Sequence, residues 1–166
     1  MANIKLPYFG MLDPASLDEY YDATIDFNNT SIQIDLNFEK NTIDIQRLEI
    51  VKHFIENIRI HDLKNKKYIQ DDFDDNAGDT VKFYLENHIE ELATDDLNEL
   101  IGRGTKTADQ PKLLLKKLHL VRVGLYPDSE TQFAIFDYSI GKELTDYFIV
   151  INTDENGNLD YMAMES

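Results

Sequence analysis

The densest group of chemically competent side chains is Asp71-Asp72-Phe73-Asp74-Asp75-Asn76-Ala77-Gly78-Asp79, with five carboxylates in nine residues. Oxygen-rich loops of this kind can hold a hard cation such as calcium. An EF-hand reading that starts at Asp72 puts Asp74 and Asn76 on ligand positions. It also puts Ala77 where the turn needs glycine and Phe83 where a bidentate Glu belongs, so the motif fails. A solvated loop is the simpler reading, with Asp79 and its neighbours capping the next helix at its positive end. The segment Asp154-Glu155-Asn156-Gly157-Asn158-Leu159-Asp160 fails in the same way, because Leu159 replaces the turn glycine. A hairpin turn through Asn156-Gly157 accounts for those residues. No metal or cofactor is expected.

Other constellations carry less. Gly102-Arg103-Gly104-Thr105-Lys106-Thr107 invites comparison with a phosphate-binding loop, but Thr105 separates Gly104 from Lys106 and the segment follows a helix. Asp137-Tyr138-Ser139-Ile140-Gly141 half-resembles a nucleophile elbow, with Asp137 where the first glycine must be. The histidines are His53, His61, His88 and His119, and no two have the i, i+4 spacing that sets two imidazoles on one metal. His53 and His88 read as satisfied residues beside helical core stripes. With thirty-two acidic residues, some carboxylate pair suited to acid–base chemistry always exists, and none is singled out.

Charge distribution is the remaining signal. The chain has 166 residues and a net charge of −16. Such a surface disfavours nucleic acid and anionic membranes, both of which need a basic face. There is no cysteine, hence no disulfide framework, thiol nucleophile or thiolate zinc site. The opening MANIKLPYFGMLD lacks the pattern of a signal peptide, and no apolar stretch has the length of a membrane span, so a cytoplasmic protein is expected. Between Asp71 and Glu99 the acids Asp71, Asp72, Asp74, Asp75, Asp79, Glu86, Glu90, Glu91, Asp95, Asp96 and Glu99 face a single Lys82. Glu86 and Glu90 repel each other at helical spacing. A face of this kind either solubilises the protein or steers a basic partner onto it. Arg103, Lys106, Lys112, Lys116, Lys117 and Arg122 gather positive charge further on, to neutralise the acidic helices or to bind an anion; the first is preferred.

The elements that position these residues follow from periodicity. Tyr21, Ala23, Ile25 and Phe27 alternate with polar residues, as do Ile32, Ile34, Leu36 and Phe38, on either side of Asn28-Asn29-Thr30. That predicts a hairpin. A short strand over residues 4–9 precedes it, ended by a turn at 10–14. Ile45, Leu48, Val51, Ile55 and Ile58 then recur at helical spacing, with Asn41 or Thr42 as N-cap. Further helices are predicted over 63–73, over 79–93 with Val81, Leu85, Ile89 and Leu92 on one stripe, from Thr94 to a Gly102 C-cap, and around Asp109-Pro111. Strands are predicted over 118–126, 131–140, 146–154 and 159–164, with connections short enough for an antiparallel meander. The expectation is a single α+β domain over residues 1–166. Its antiparallel sheet is built from the N-terminal hairpin and a C-terminal four-strand meander, with the helices on one face.

The segments LHLVRVGLYPD, FAIFDYSIGKELTDYFIVI and DENGNLDY, with KLPYFGMLD and IDLNF near the start, resemble a bacterial family of domains of unknown function, the one numbered two thousand and four. The resemblance implies a small, freestanding α+β protein and brings no catalytic residues with it. By analogy of size and style it points toward immunity proteins of bacterial toxin systems.

The function expected is therefore non-enzymatic binding of a basic protein, in its most concrete form a toxin whose cleft the acidic helices cover. The surface would comprise Asp71, Asp72, Phe73, Asp74, Asp75, Asp79, Tyr84, Glu86, Glu90, Glu91, Asp95 and Asp96, with Phe73 and Tyr84 as aromatic anchors. The alternative is a small-ligand binder or hydrolase with a pocket between sheet and helices, where Tyr126, Asp137 and Tyr147 would be the residues to inspect.

Overall fold

The computed structural model describes residues 2–166. A two-residue loop closes the predicted hairpin: β3 (Tyr20–Phe27) runs back into β4 (Thr30–Asn37), and Asn28 and Asn29 both take positive φ, 49° and 67°. That is the geometry whose twist matches paired strands, and asparagine tolerates it better than other side chains. The opening segment differs from the expected single strand. It is a separate small hairpin, β1 (Ile4–Leu6) with β2 (Gly10–Leu12). Pro7 and Tyr8 form its corner, closed by Phe9 N–H donating to the Leu6 carbonyl at 3.3 Å, with Tyr8 at φ 68°. Proline followed by a positive φ is the type II pattern, here with tyrosine where glycine is usual.

Among the described residues five α-helices follow: α1 (Ile45–Glu56), α2 (Ile58–Asp74), α3 (Thr80–Glu91), α4 (Thr94–Ile101) and α5 (Gln110–Leu115), with a 3-10 turn over Thr107–Asp109. Asp44, not Asn41 or Thr42, precedes the first. The predicted stripe from Ile45 to Ile58 crosses a break at Asn57, whose φ of −116° interrupts the helix and whose side-chain amide donates to the His53 carbonyl at 2.7 Å. Gly102 ends α4 at φ 93°, and Pro111 stands in the first turn of α5, both where predicted.

The chain then lays down β5 (His119–Leu125), β6 (Ala134–Ser139), β7 (Phe148–Thr153) and β8 (Leu159–Glu165) as a meander. The large sheet has the order β3-β4-β5-β6-β7-β8. Each pair is antiparallel except β4 with β5, which is parallel and joins the hairpin to the meander. A parallel pair needs a crossover connection, and here the crossover contains all five helices. One crossover places them on one side of the sheet.

Strand alternation sorts the two faces. Ile32, Ile34, Leu36, Val123, Leu125, Phe136, Tyr138, Ile149 and Ile151 are buried under the helices. Leu48, Val51, Phe54 and Ile55 of α1 answer them, with Ile58 and Ile69 of α2 and Val81, Tyr84 and Leu85 of α3. Arg47 ties α1 to the loops at one sheet end. It donates to the carbonyls of Pro127 and Ser129 at 2.9 and 3.0 Å and pairs with Glu155 at 2.6 Å. No helix among the described residues is long and apolar enough to cross a membrane.

Candidate partner-binding surface

The acidic segment begins on the last turns of α2 and crosses a short loop onto α3 and α4. Several of its carboxylates have local partners. Asp71 pairs with Lys67 one turn earlier at 3.2 Å, and Asp74 accepts from the Gln70 amide at 3.1 Å. Asp75 Oδ1 accepts from the Ala77 N–H at 3.0 Å. Asp72 reaches across the loop and accepts from the Val81 N–H at 2.8 Å, which caps α3 from the preceding helix. Asp79, the residue at the expected cap position, makes no side-chain cap bond. Gly78 is required here, since a Cβ on it would overlap the Asp72 carbonyl oxygen. Thus the loop is an α2–α3 corner, and among the described residues no group of three or more His, Asp or Glu side chains is placed to hold a metal ion.

On α3 the inward positions are Val81, Tyr84, Leu85 and His88. This overturns one expected anchor. Tyr84 is completely buried, its hydroxyl donating to the Tyr147 carbonyl at 3.2 Å and accepting from the Ile140 N–H at 3.3 Å. It lies three residues after Val81 and one before Leu85, squarely on the apolar stripe, so it cannot meet a partner. Phe73 is half-buried against the core and is at best an edge residue. His88 is buried and satisfied. Its Nδ1 donates to the Tyr84 carbonyl at 2.6 Å, and its Nε2 lies 2.8 Å from the Thr145 hydroxyl, which donates to it when the ring is neutral. Burial lowers its pKa, against the bond to Tyr84.

The aromatic residue that does face solvent is Phe83, 61% exposed. Fixing Val81, Tyr84, Leu85 and His88 inward turns Asp79, Phe83, Glu86 and Glu90 outward, spaced by four, three and four residues along one stripe. Glu91 is also exposed, and α4 continues the surface with exposed Asp95 and Glu99 and half-buried Asp96. Lys82 keeps its charge but is held back at the corner, its ammonium donating to the Asp75 carbonyl at 2.7 Å, and it is ion-paired with none of these acids among the described residues. Assigning the inward stripe by three- and four-residue spacing from Val81 would have identified Phe83 in the sequence.

Away from the helices, the sheet's other face carries a partly buried ion-pair cluster. Arg122 on β5 grips Asp35 on β4 with two hydrogen bonds, Nε to Oδ2 at 2.7 Å and Nη2 to Oδ1 at 3.0 Å. Asp137 on β6 lies 3.4 Å from Nη1. Burial raises the Asp137 pKa, while Arg122 pulls it back. Tyr126, half-buried, follows directly after β5, where its N–H donates to the Phe133 carbonyl at 2.8 Å. Tyr147 stands apart, exposed before β7. These three residues therefore line no common pocket. The space between sheet and helices is filled by Phe133, Phe136, Tyr138 and Tyr84, all fully buried. Ser139 is buried too, its hydroxyl accepting from the Gly141 N–H at 2.9 Å. In the last loop Asp154 Oδ1 accepts from the backbones of Asn156 and Asn158, both at 2.9 Å, and Gly157 takes φ 80°, as a turn requires.

Of the basic stretch, Arg122 alone meets acidic partners among the described residues, and those lie on the sheet rather than on the acidic helices. Comparison of the chain with protein-family models, with curated proteins and with solved structures gives no match.

Proposed function

We propose that this chain is a non-enzymatic binding protein whose α3–α4 surface docks a basic protein partner. The observation that carries the reading is Phe83: a phenylalanine, 61% exposed, standing on a helix stripe whose other members are Asp79, Glu86 and Glu90. Exposing a large apolar ring is unfavourable by about 2 kcal/mol relative to burial, and the described residues leave most of Phe83 uncovered. Glu86 and Glu90, which have no hydrogen-bond or ion-pair partner among the described residues, supply steering and specificity, and the ring supplies contact area at the centre. The carboxylates of the loop contribute less, because Asp71, Asp72, Asp74 and Asp75 already serve the α2–α3 corner.

The concrete form of the proposal is an immunity-type protein that covers the phosphate-binding cleft of a basic toxin, a role in keeping with the acidic surface and with the resemblance of the strand segments. Affinity capture on immobilised wild type and on Phe83→Ser, from the cells that make the protein, tests it. A basic protein retained by wild type, released by salt and lost from Phe83→Ser supports the reading. Equal retention by both forms, or retention of no basic protein, refutes it.

A further inference from the structure

The basic stretch that the acidic helices do not use borders a groove between α2 and α5, about 460 Å3 in volume. Two helix stripes make its walls. From α2 come Lys66, Ile69, Gln70, Phe73 and Asp74, at the spacing of one face; from α5 and its end come Lys112, Leu115 and Lys116. Its floor is apolar: Ile69 and Leu118 are buried, and Phe73 and Leu115 are half-buried.

The rim charges are unusual for this chain. Acidic residues outnumber basic ones two to one, yet three lysines surround the floor. Lys66 is matched from beneath by the buried Asp62, 3.3 Å away. Lys112 and Lys116 are exposed, four residues apart, and neither is ion-paired among the described residues. Asp74 is the one carboxylate on the rim, and the Gln70 amide already engages it at 3.1 Å. What fits is a molecule with an apolar body and one negative end, since the floor favours the first and the two unpaired ammonium groups the second.

We infer that this groove binds a medium-chain carboxylate, its acyl chain lying on Ile69, Phe73, Leu115 and Leu118 and its carboxylate held between Lys112 and Lys116. The site lies apart from the Phe83 stripe and does not depend on the partner reading. Decanoate, kept below its micelle concentration, is the probe; acetate and decanol separate the contributions of charge and chain.

The measurement is a methyl-detected NMR titration of the intact protein, followed by calorimetry. Decanoate is expected to shift the methyl signals of Ile69, Leu115 and Leu118 saturably, while acetate leaves them unmoved. Lys112→Gln with Lys116→Gln is expected to weaken decanoate by about tenfold and to leave decanol binding unchanged. Both lysines are exposed, so the double variant keeps the fold, which an unchanged unfolding midpoint verifies. Raised salt should weaken decanoate binding to wild type and not decanol binding. Shifts centred elsewhere, no saturable binding of decanoate, or equal affinity in the double variant would each overturn the inference.

Discussion

Arg122 and Asp35 are 87 residues apart in the chain and joined by two hydrogen bonds of 2.7 and 3.0 Å across the parallel junction of β4 and β5. Asp35 is fully buried, and its strand partner is Gly124. A Cβ on Gly124 would come within 2.6 Å of the Arg122 guanidinium, so the glycine is the space in which the guanidinium lies. The junction that joins hairpin to meander is thus held by a charged pair rather than by apolar packing on that face.

Removing one partner should cost far more than removing both. Arg122→Gln takes the counter-ion from the buried Asp35 carboxylate and leaves it the Asn37 amide, which donates to Oδ1 at 2.7 Å, so urea unfolding is expected to show a loss of about 3 kcal/mol. Replacing both residues with leucine should recover most of that loss. A single variant as stable as wild type would mean that the pair does not hold the junction.

Capping makes a second prediction, at the α2–α3 corner. Asp72→Ala removes the acceptor of the Val81 N–H and should cost about 1 kcal/mol. Asp79→Ala should be close to neutral, although Asp79 occupies the cap position by sequence. The reverse ranking in chemical denaturation would contradict the structure of this corner.

Neighbouring aromatic residues on α3 should separate stability from binding. Tyr84→Ala empties a fully buried position and should cost about 3–5 kcal/mol. Phe83→Ser should change the unfolding midpoint little, because most of its ring faces solvent. A large stability loss at Phe83 would show that the ring is covered in solution.

Acid sensitivity should be traceable to His61. Its ring stacks on Phe54 at 3.8 Å, its Nδ1 has no hydrogen-bond partner among the described residues, and burial, with help from Lys64, lowers its pKa from 6.5 to about 4. The unfolded chain therefore takes up a proton that the folded chain refuses. Stability from this group is complete above pH 6.5 and is lost as pH falls toward 4. The lowered pKa of His88 acts in the same sense, while the raised pKa of Asp137 opposes both, its stabilisation being lost as pH rises through its folded value. His61→Phe keeps the stack and removes the titration, so its midpoint relative to wild type should rise at acidic pH and change little at neutral pH. A difference independent of pH would exclude His61 as the source.

Legibility in the sequence followed the range of the interactions. The β3–β4 hairpin was readable because its alternation and its Asn28-Asn29 loop are local, and the Gly102 cap for the same reason. Alternation specifies which face a residue takes but not which strand lies beside it. The parallel β4–β5 contact therefore leaves no local trace, although Arg122, Gly124 and Asp35 meet there. The Pro7-Tyr8 corner has no sequence signal because tyrosine is a rare occupant of a positive φ, and Tyr84 belongs inward because the buried face of α3 runs through Tyr84 and His88 as well as Val81 and Leu85. The acidic stretch was found, but its division into corner-forming carboxylates and unpartnered ones is a matter of tertiary contacts that no spacing reveals.

The central claim concerns where the negative charge lies, not how much there is. Glu86→Lys with Glu90→Lys and, as its counterpart, Asp22→Lys with Asp26→Lys change the net charge equally, the first on the Phe83 stripe and the second on exposed positions of β3. Affinity capture with the two forms beside wild type reads the difference directly. The account predicts that the β3 variant retains the same basic protein as wild type and that the α3 variant loses it. Equal loss from both variants, or retention by the α3 variant, would contradict it.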